Sequence, residues 1–168
     1  MIKKILLAFA LICPMLLSAQ TFKMGLLDFD SVLAAMPETA EAQKQLQETS
    51  EKYKAEFEKL RDEMNRLYAE FEKLPESEPA AIKERRAREI SDYNVKLQQF
   101  EATAGDELNK MQMDLMTPIQ QKIVQAVESV GREGGFSLIQ MYTPQLTLYR
   151  AEPVEDVTPA VKAKLGLK

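Results

Sequence analysis

Residues 53–74 read YKAEFEKLRDEMNRLYAEFEKL, and their apolar side chains fall at Tyr53, Phe57, Leu60, Met64, Leu67, Phe71 and Leu74. Alternating steps of four and three residues form the heptad seam of a coiled coil. Neither Gly nor Pro interrupts residues 38–74, so one long helix is expected there. Working outward, Leu74-Pro75-Glu76-Ser77-Glu78-Pro79 breaks the pattern, and Pro79 suits the first turn of a second helix. Apolar positions then resume at Ile82, Ile90, Tyr93, Leu97, Phe100, Ala104, Leu108, Met111 and Leu115, again mostly by threes and fours, with Gly105 a tolerated weak point.

Thr117-Pro118 reads in two ways: a cap followed by Pro at a first helical position, or a kink in one continuous helix. Residues 38–74 number 37 and residues 79–117 number 39. Two helices so nearly equal, joined by a short turn, predict an antiparallel hairpin about 55 Å long with Pro37 and Pro118 side by side at its base.

Outside the hairpin, residues 20–37 and 118–168 leave 69 residues for a body. Residues 23–29 (KMGLLDF), 136–141 (FSLIQM) and 146–151 (LTLYRA) read as strands, the last two joined by the turn Tyr142-Thr143-Pro144-Gln145. Ser31 to Met36 makes a short helical turn. Ile119, Ile123, Val127 and Val130 line a helix ending near Gly131, and Thr158-Pro159 opens a final helix that stops at Gly166. Chains below roughly 70 to 80 residues need disulfides, metals or oligomerisation to stabilise a core. Oligomerisation is the expected solution here, with strands of several copies completing one sheet or barrel.

Composition narrows the chemistry. The chain of 168 residues has no His, no Trp and one Cys, with 22 Lys+Arg against 26 Asp+Glu. Without imidazole, Ser-His-Asp, Cys-His and zinc-protease mechanisms are excluded, and no enzyme activity is expected. Lys3 and Lys4, the apolar run of residues 5–17 and Ser18-Ala19 read as a cleavable signal peptide over residues 1–19, too short in its apolar part to span a bilayer. Cys13 lies inside that segment behind the bulky Ile12, so the mature chain carries no thiol. A disulfide, a thiolate metal site and Cys redox chemistry are therefore out, and export without disulfides points to a bacterial envelope compartment. The mature chain holds 20 basic and 26 acidic residues, a balance unlike that of a nucleic-acid binder.

Each candidate site has a plainer reading beside it. Asp28 and Asp30 are better read as ending a strand, with Asp30 or Ser31 capping the next helix, than as a carboxylate pair. Gly131-Arg132-Glu133-Gly134-Gly135 follows a helix and precedes a strand, the reverse of a phosphate-binding loop, so a helix C-cap and a turn explain it. No cofactor is expected. Lys83, Arg85, Arg86 and Arg88, near the hairpin tip, form a cluster able to meet anionic lipid or lipopolysaccharide, although interleaved Glu84 and Glu89 favour a solvated helix face. Aromatic and Met side chains suit adaptable binding of unfolded chains. Those on the seam serve helix contact first; Tyr68 and Met113 lie off it and, with Phe71 and Tyr93, are the client-binding candidates.

Taken together, the signal peptide, the opening KMGLLDFDSVL of residues 23–33 with Met36-Pro37-Glu38 behind it, the helical hairpin and the ending resemble the Skp/OmpH family of periplasmic chaperones. That ending runs from Gly135-Phe136-Ser137-Leu138-Ile139 through Leu148-Tyr149 to Asp156-Val157-Thr158-Pro159-Ala160-Val161 and Leu165-Gly166. The resemblance implies a homotrimer: a mainly α fold with a small β body, from which helical hairpins project around a cavity that holds unfolded outer-membrane proteins without ATP. Leu27, Phe29, Val127, Leu138, Ile139 and Leu148 are then expected in the assembly core. One departure stands out. Residues 38–117 carry 19 acidic and 13 basic residues and the body 7 of each, whereas the best-studied relatives are basic. Apolar contacts are therefore expected to dominate capture. The alternative of a different class is a structural coiled-coil adaptor of the envelope with one defined protein partner.

Overall fold

The computed structural model describes residues 22–167; the signal peptide expected over residues 1–19 lies outside them. Seven elements follow in order: β1 (Met24–Leu27), α1 (Phe29–Ala35), α2 (Pro37–Glu72), α3 (Ala80–Glu133), β2 (Leu138–Met141), β3 (Val154–Asp156) and α4 (Thr158–Lys164). The fold is mainly helical with one small three-stranded sheet.

The two long helices are unequal. At 1.5 Å per residue the 36 residues of α2 span about 54 Å and the 54 residues of α3 about 81 Å. Thr117-Pro118 resolves as an interior position of continuous α3, not as the start of a separate helix. The body therefore has no helix of its own over residues 118–133; it is built on the far end of the arm. At the base of the arm Glu38 accepts a 2.8 Å bond from Lys122 Nζ, which ties the first turn of α2 to α3.

Within the arm the seam buries Leu67, Ile90, Leu97 and Ala104, and Tyr53 meets Phe100 edge-on with ring centroids 6.0 Å apart. Outward-facing charges pair along the helices, as in Glu63–Arg66–Glu70 with both contacts at 2.5 Å. Such exposed pairs add little stability each, which leaves the apolar seam as the main cohesion of the arm.

The sheet has the order β2-β1-β3, with β1 parallel to both neighbours. Residues 146–151, expected as a strand, belong to no strand; the third strand is residues 154–156 instead. The expected turn at residues 142–145 is accordingly not a hairpin turn. Parallel strands need a long crossover, and here the crossover from β1 to β2 contains the entire helical arm.

Local chemistry explains the element ends. Asp28, rather than Asp30 or Ser31, caps α1: its carboxylate accepts the Ser31 N–H at 2.9 Å. The Asp28 N–H donates to Thr158 Oγ1 at 2.9 Å, fastening the end of β1 to the start of α4. Thr158 N–H in turn donates to the Asp156 carboxylate at 2.9 Å; the Thr158 side chain first, and then this backbone N–H, hold that carboxyl below its usual pKa. Helix α3 ends later than expected, at Glu133, where Gly135 takes φ +64° and Phe136 N–H returns to Gly131 O at 3.0 Å. Gly134 is needed for a second reason: a Cβ there would lie 2.5 Å from the Phe136 ring.

The core lies between the inner face of the sheet and the body end of α3. Val32, Ile123 and Val161 are fully buried, joined by Leu27, Met36, Ala42, Ile119, Ala126, Val130 and Val157. Gly25 lets the Val157 and Ile139 side chains close over β1; a Cβ would stand 2.9 Å and 3.1 Å from them.

Candidate functional site: an uncovered sheet face and the arm surfaces

Parallel sheets are ordinarily covered on both faces, and this one is covered by helix on one. Met24, Leu26, Leu138, Gln140 and Val154 share the other face by register. What lies over it is the stretch 146–150, which lines a shallow groove with Met24, Leu26 and Met141. Leu146, Leu148 and Tyr149 of that stretch are 82%, 97% and 84% exposed. LTLYR has strand-forming composition, yet it pairs with no strand among the described residues. A β-prone segment with Leu146, Leu148 and Tyr149 left in solvent, over a sheet face that carries no helix, makes an exposed apolar patch.

The six residues expected at the assembly core divide by position. Leu27 is buried within the protomer, and Phe29, Val127 and Ile139 pack against that same intrachain core. Leu138 is 44% exposed on the outer sheet face, and Leu148 stands almost wholly in solvent. The sequence reading did not include Met141, Leu146 and Tyr149, which share this exposure. For Leu146 and Tyr149 the sequence signal is the strand-like stretch from Leu146, which reads as a paired strand when taken alone.

On the arm, Tyr68 and Met113 are exposed, at 42% and 62%, while Phe71 and Tyr93 are half-buried. Asn94 Nδ2 donates to the Tyr68 hydroxyl at 3.2 Å across the helix pair, which fixes the ring at the arm surface. Lys96 lies 5.1 Å from the Tyr93 ring centre. Val95, 49% exposed, joins this surface without having been picked from the sequence.

The basic cluster is largely paired. Arg86 bonds Glu89 at 2.9 Å, Arg88 bonds Glu84, and Lys83 Nζ donates to the Glu76 carbonyl at 2.9 Å. Arg85 makes no hydrogen bond or ion pair among the described residues. Arg85, Arg86 and Arg88 nonetheless line one groove with Asp92, Tyr93 and Lys96, so a client candidate and the cationic cluster share a surface. Lys83 lies outside that groove's lining.

No group of three or more His, Cys, Asp or Glu among the described residues is placed to hold a metal ion. Among them, too, no helix is long and apolar enough to cross a membrane. No individual curated protein matches the chain significantly. A family model described as outer membrane protein, OmpH-like, matches residues 23–165, from the first residues of the body through the whole arm to the end of the last helix. The chain belongs to the OmpH-like family, whose function is that of a periplasmic chaperone of outer-membrane proteins.

Proposed function

We propose that the protein is an ATP-independent holdase that assembles as a homotrimer through its body and retains unfolded outer-membrane proteins between its arms. The observation that carries this reading is the union, on one continuous helix, of an arm about 54 Å long with a body whose outer sheet side carries no helix and leaves Leu138, Leu146, Leu148 and Tyr149 in solvent. Copies that cover one another's outer face, through Leu138, Met141, Leu146, Leu148 and Tyr149, would fix several arms around one axis. A barrel protein in transit exposes alternating apolar side chains and unpaired strand edges. Several arms on one base then offer weak contacts at high effective concentration, so retention is strong while each contact remains exchangeable.

Tyr68 and Met113, with Phe71 and Tyr93 at their margins, would make those contacts. The groove of Arg85, Arg86 and Arg88, with Lys83 nearby, would meet anionic lipid or lipopolysaccharide at the arm tips. The test dilutes an unfolded outer-membrane barrel protein from urea with and without the protein lacking residues 1–19 and follows light scattering. Suppression of scattering is expected at molar excess. Unchanged aggregation, together with tight binding of one folded envelope protein, would instead favour a structural adaptor.

A further inference from the structure

Midway along the arm the helix seam opens. Ala104 occupies a seam position where its neighbours in the pattern are Phe100 and Leu108, and Gly105 follows it. A groove of about 350 Å³ results, lined by Tyr53, Phe57, Phe100, Ala104, Gly105 and Leu108, with Lys54 and Glu101 at its rim. Nothing stands within 4 Å of a Cβ built on Gly105, so the groove is open on that side.

Its electrical setting differs from the rest of the arm. Residues 38–56 and 101–117, the half near the body, hold nine acidic and four basic residues; residues 57–100 hold ten and nine. Five of the arm's six excess negative charges therefore lie in its body-proximal half, which also holds most of the groove, with Lys54 the one cation in the lining. The Tyr53 hydroxyl donates to Glu107 and keeps that carboxylate at the groove's margin. The ion pairs Lys44–Glu48 and Lys59–Glu56 are the nearest on α2, and neither Glu101 nor Glu107 has a cationic partner among the described residues.

We propose that this mid-arm groove receives an extended segment of an unfolded chain in which apolar or aromatic residues alternate with Lys or Arg. In an extended chain successive side chains point to opposite sides. One apolar side chain enters between Phe57, Phe100 and Leu108; its cationic neighbours start on the outward side, and their long flexible stems bend back over the rim to bring the charged ends to the carboxylates of Glu101 and Glu107. The proposal rests on the holdase reading and specifies which client segments the body-proximal half of the arm selects.

The test uses the protein lacking residues 1–19 and two fluorescent peptides of about 12 residues, alternating Val, Tyr and Leu with Lys in one and with Glu in the other. Fluorescence anisotropy at about 50 mM salt should show the Lys peptide bound at least about fivefold more tightly, with the difference shrinking as salt rises. Gly105→Leu fills the open space with a better helix former and leaves the helical circular dichroism unchanged. It should weaken the Lys peptide by about fivefold or more, the scale of one apolar side chain losing its burial. Glu101→Gln with Glu107→Gln should erase the preference.

Equal binding of the two peptides, or a Gly105→Leu protein that binds the Lys peptide as before, would overturn the proposal. So would a change of assembly mass in Gly105→Leu, because the groove would then be covered by a second copy of the chain. Suppression of barrel-protein aggregation by the unaltered protein is scored separately. If it persists while the peptides bind alike, only the groove assignment fails; if it is absent, the holdase reading fails whatever the peptides do.

Discussion

Glu38 in the first turn of α2 and Lys122 of α3 form a 2.8 Å ion pair at the base of the arm, 84 residues apart in sequence. The hydrogen bond from Lys122 is the largest influence on the Glu38 carboxyl and lowers its pKa. A carboxyl with a folded pKa below its unfolded value stabilises the fold above the unfolded pKa, and that contribution disappears as pH falls through the folded pKa. Glu38→Gln should therefore lower the melting temperature slightly at pH 7. The difference from the parent protein should narrow as pH falls from about 4.5 and vanish once the pH lies well below the folded pKa. Both side chains are partly solvated, so the effect should also shrink in high salt. Thermal melts at several pH values measure this; a deficit that persists at pH 2 would mean that Glu38 acts through packing rather than charge.

Ile123 is fully buried where α3 passes beneath the sheet. Truncation to Ala leaves a cavity, and Ile123→Ala should cost about 2–5 kcal/mol of stability in urea denaturation. Val127→Ala, one turn further along and only half-buried, should cost distinctly less. Equal losses at both positions would show that an assembly interface, and not the intrachain core, governs stability here.

The heptads of residues 53–74 are legible because a helical hairpin is a local pattern, in which the period alone specifies which side chains meet. Residues 154–156 are not legible in this way. VED has one apolar residue and two acids, and it becomes a strand because Leu26 and Asp156 pair in a sheet assembled from distant segments. Residues 146–151 mislead for the opposite reason: the alternation suits a strand, but the partner that would make it one is not among the chain's own strands. The site is partly readable in consequence. Tyr68 and Met113 follow from the seam, whereas the link between Tyr93 and the arginines, and the exposure of Tyr149, depend on tertiary placement.

Pro118 lies inside α3 with solvent around it, so its ring removes one intrahelical hydrogen bond without serving the core. Pro118→Ala should restore that bond and raise stability by about 1–3 kcal/mol. Were Pro118 the first residue of an independent helix, the same change would be neutral or destabilising, since proline is pre-organised there. Urea denaturation of the single variant distinguishes the two, and amide exchange around Asp114 should slow if the helix tightens.

Leu148 offers the sharpest separation of folding from assembly. It is 97% exposed within one chain, whereas Leu27 is 3% exposed in the core. Leu148→Asp should leave the helical circular dichroism and the monomer fold intact, because no intrachain contact of consequence is lost. It should nonetheless reduce the mass measured by light scattering in solution, since a carboxylate in an apolar interface is buried without a partner. Leu27→Asp should lose both fold and mass by the same physics acting inside the protomer. If Leu148→Asp retains the full mass, the outer sheet face is not the surface through which copies meet, and the arms would have to be joined elsewhere.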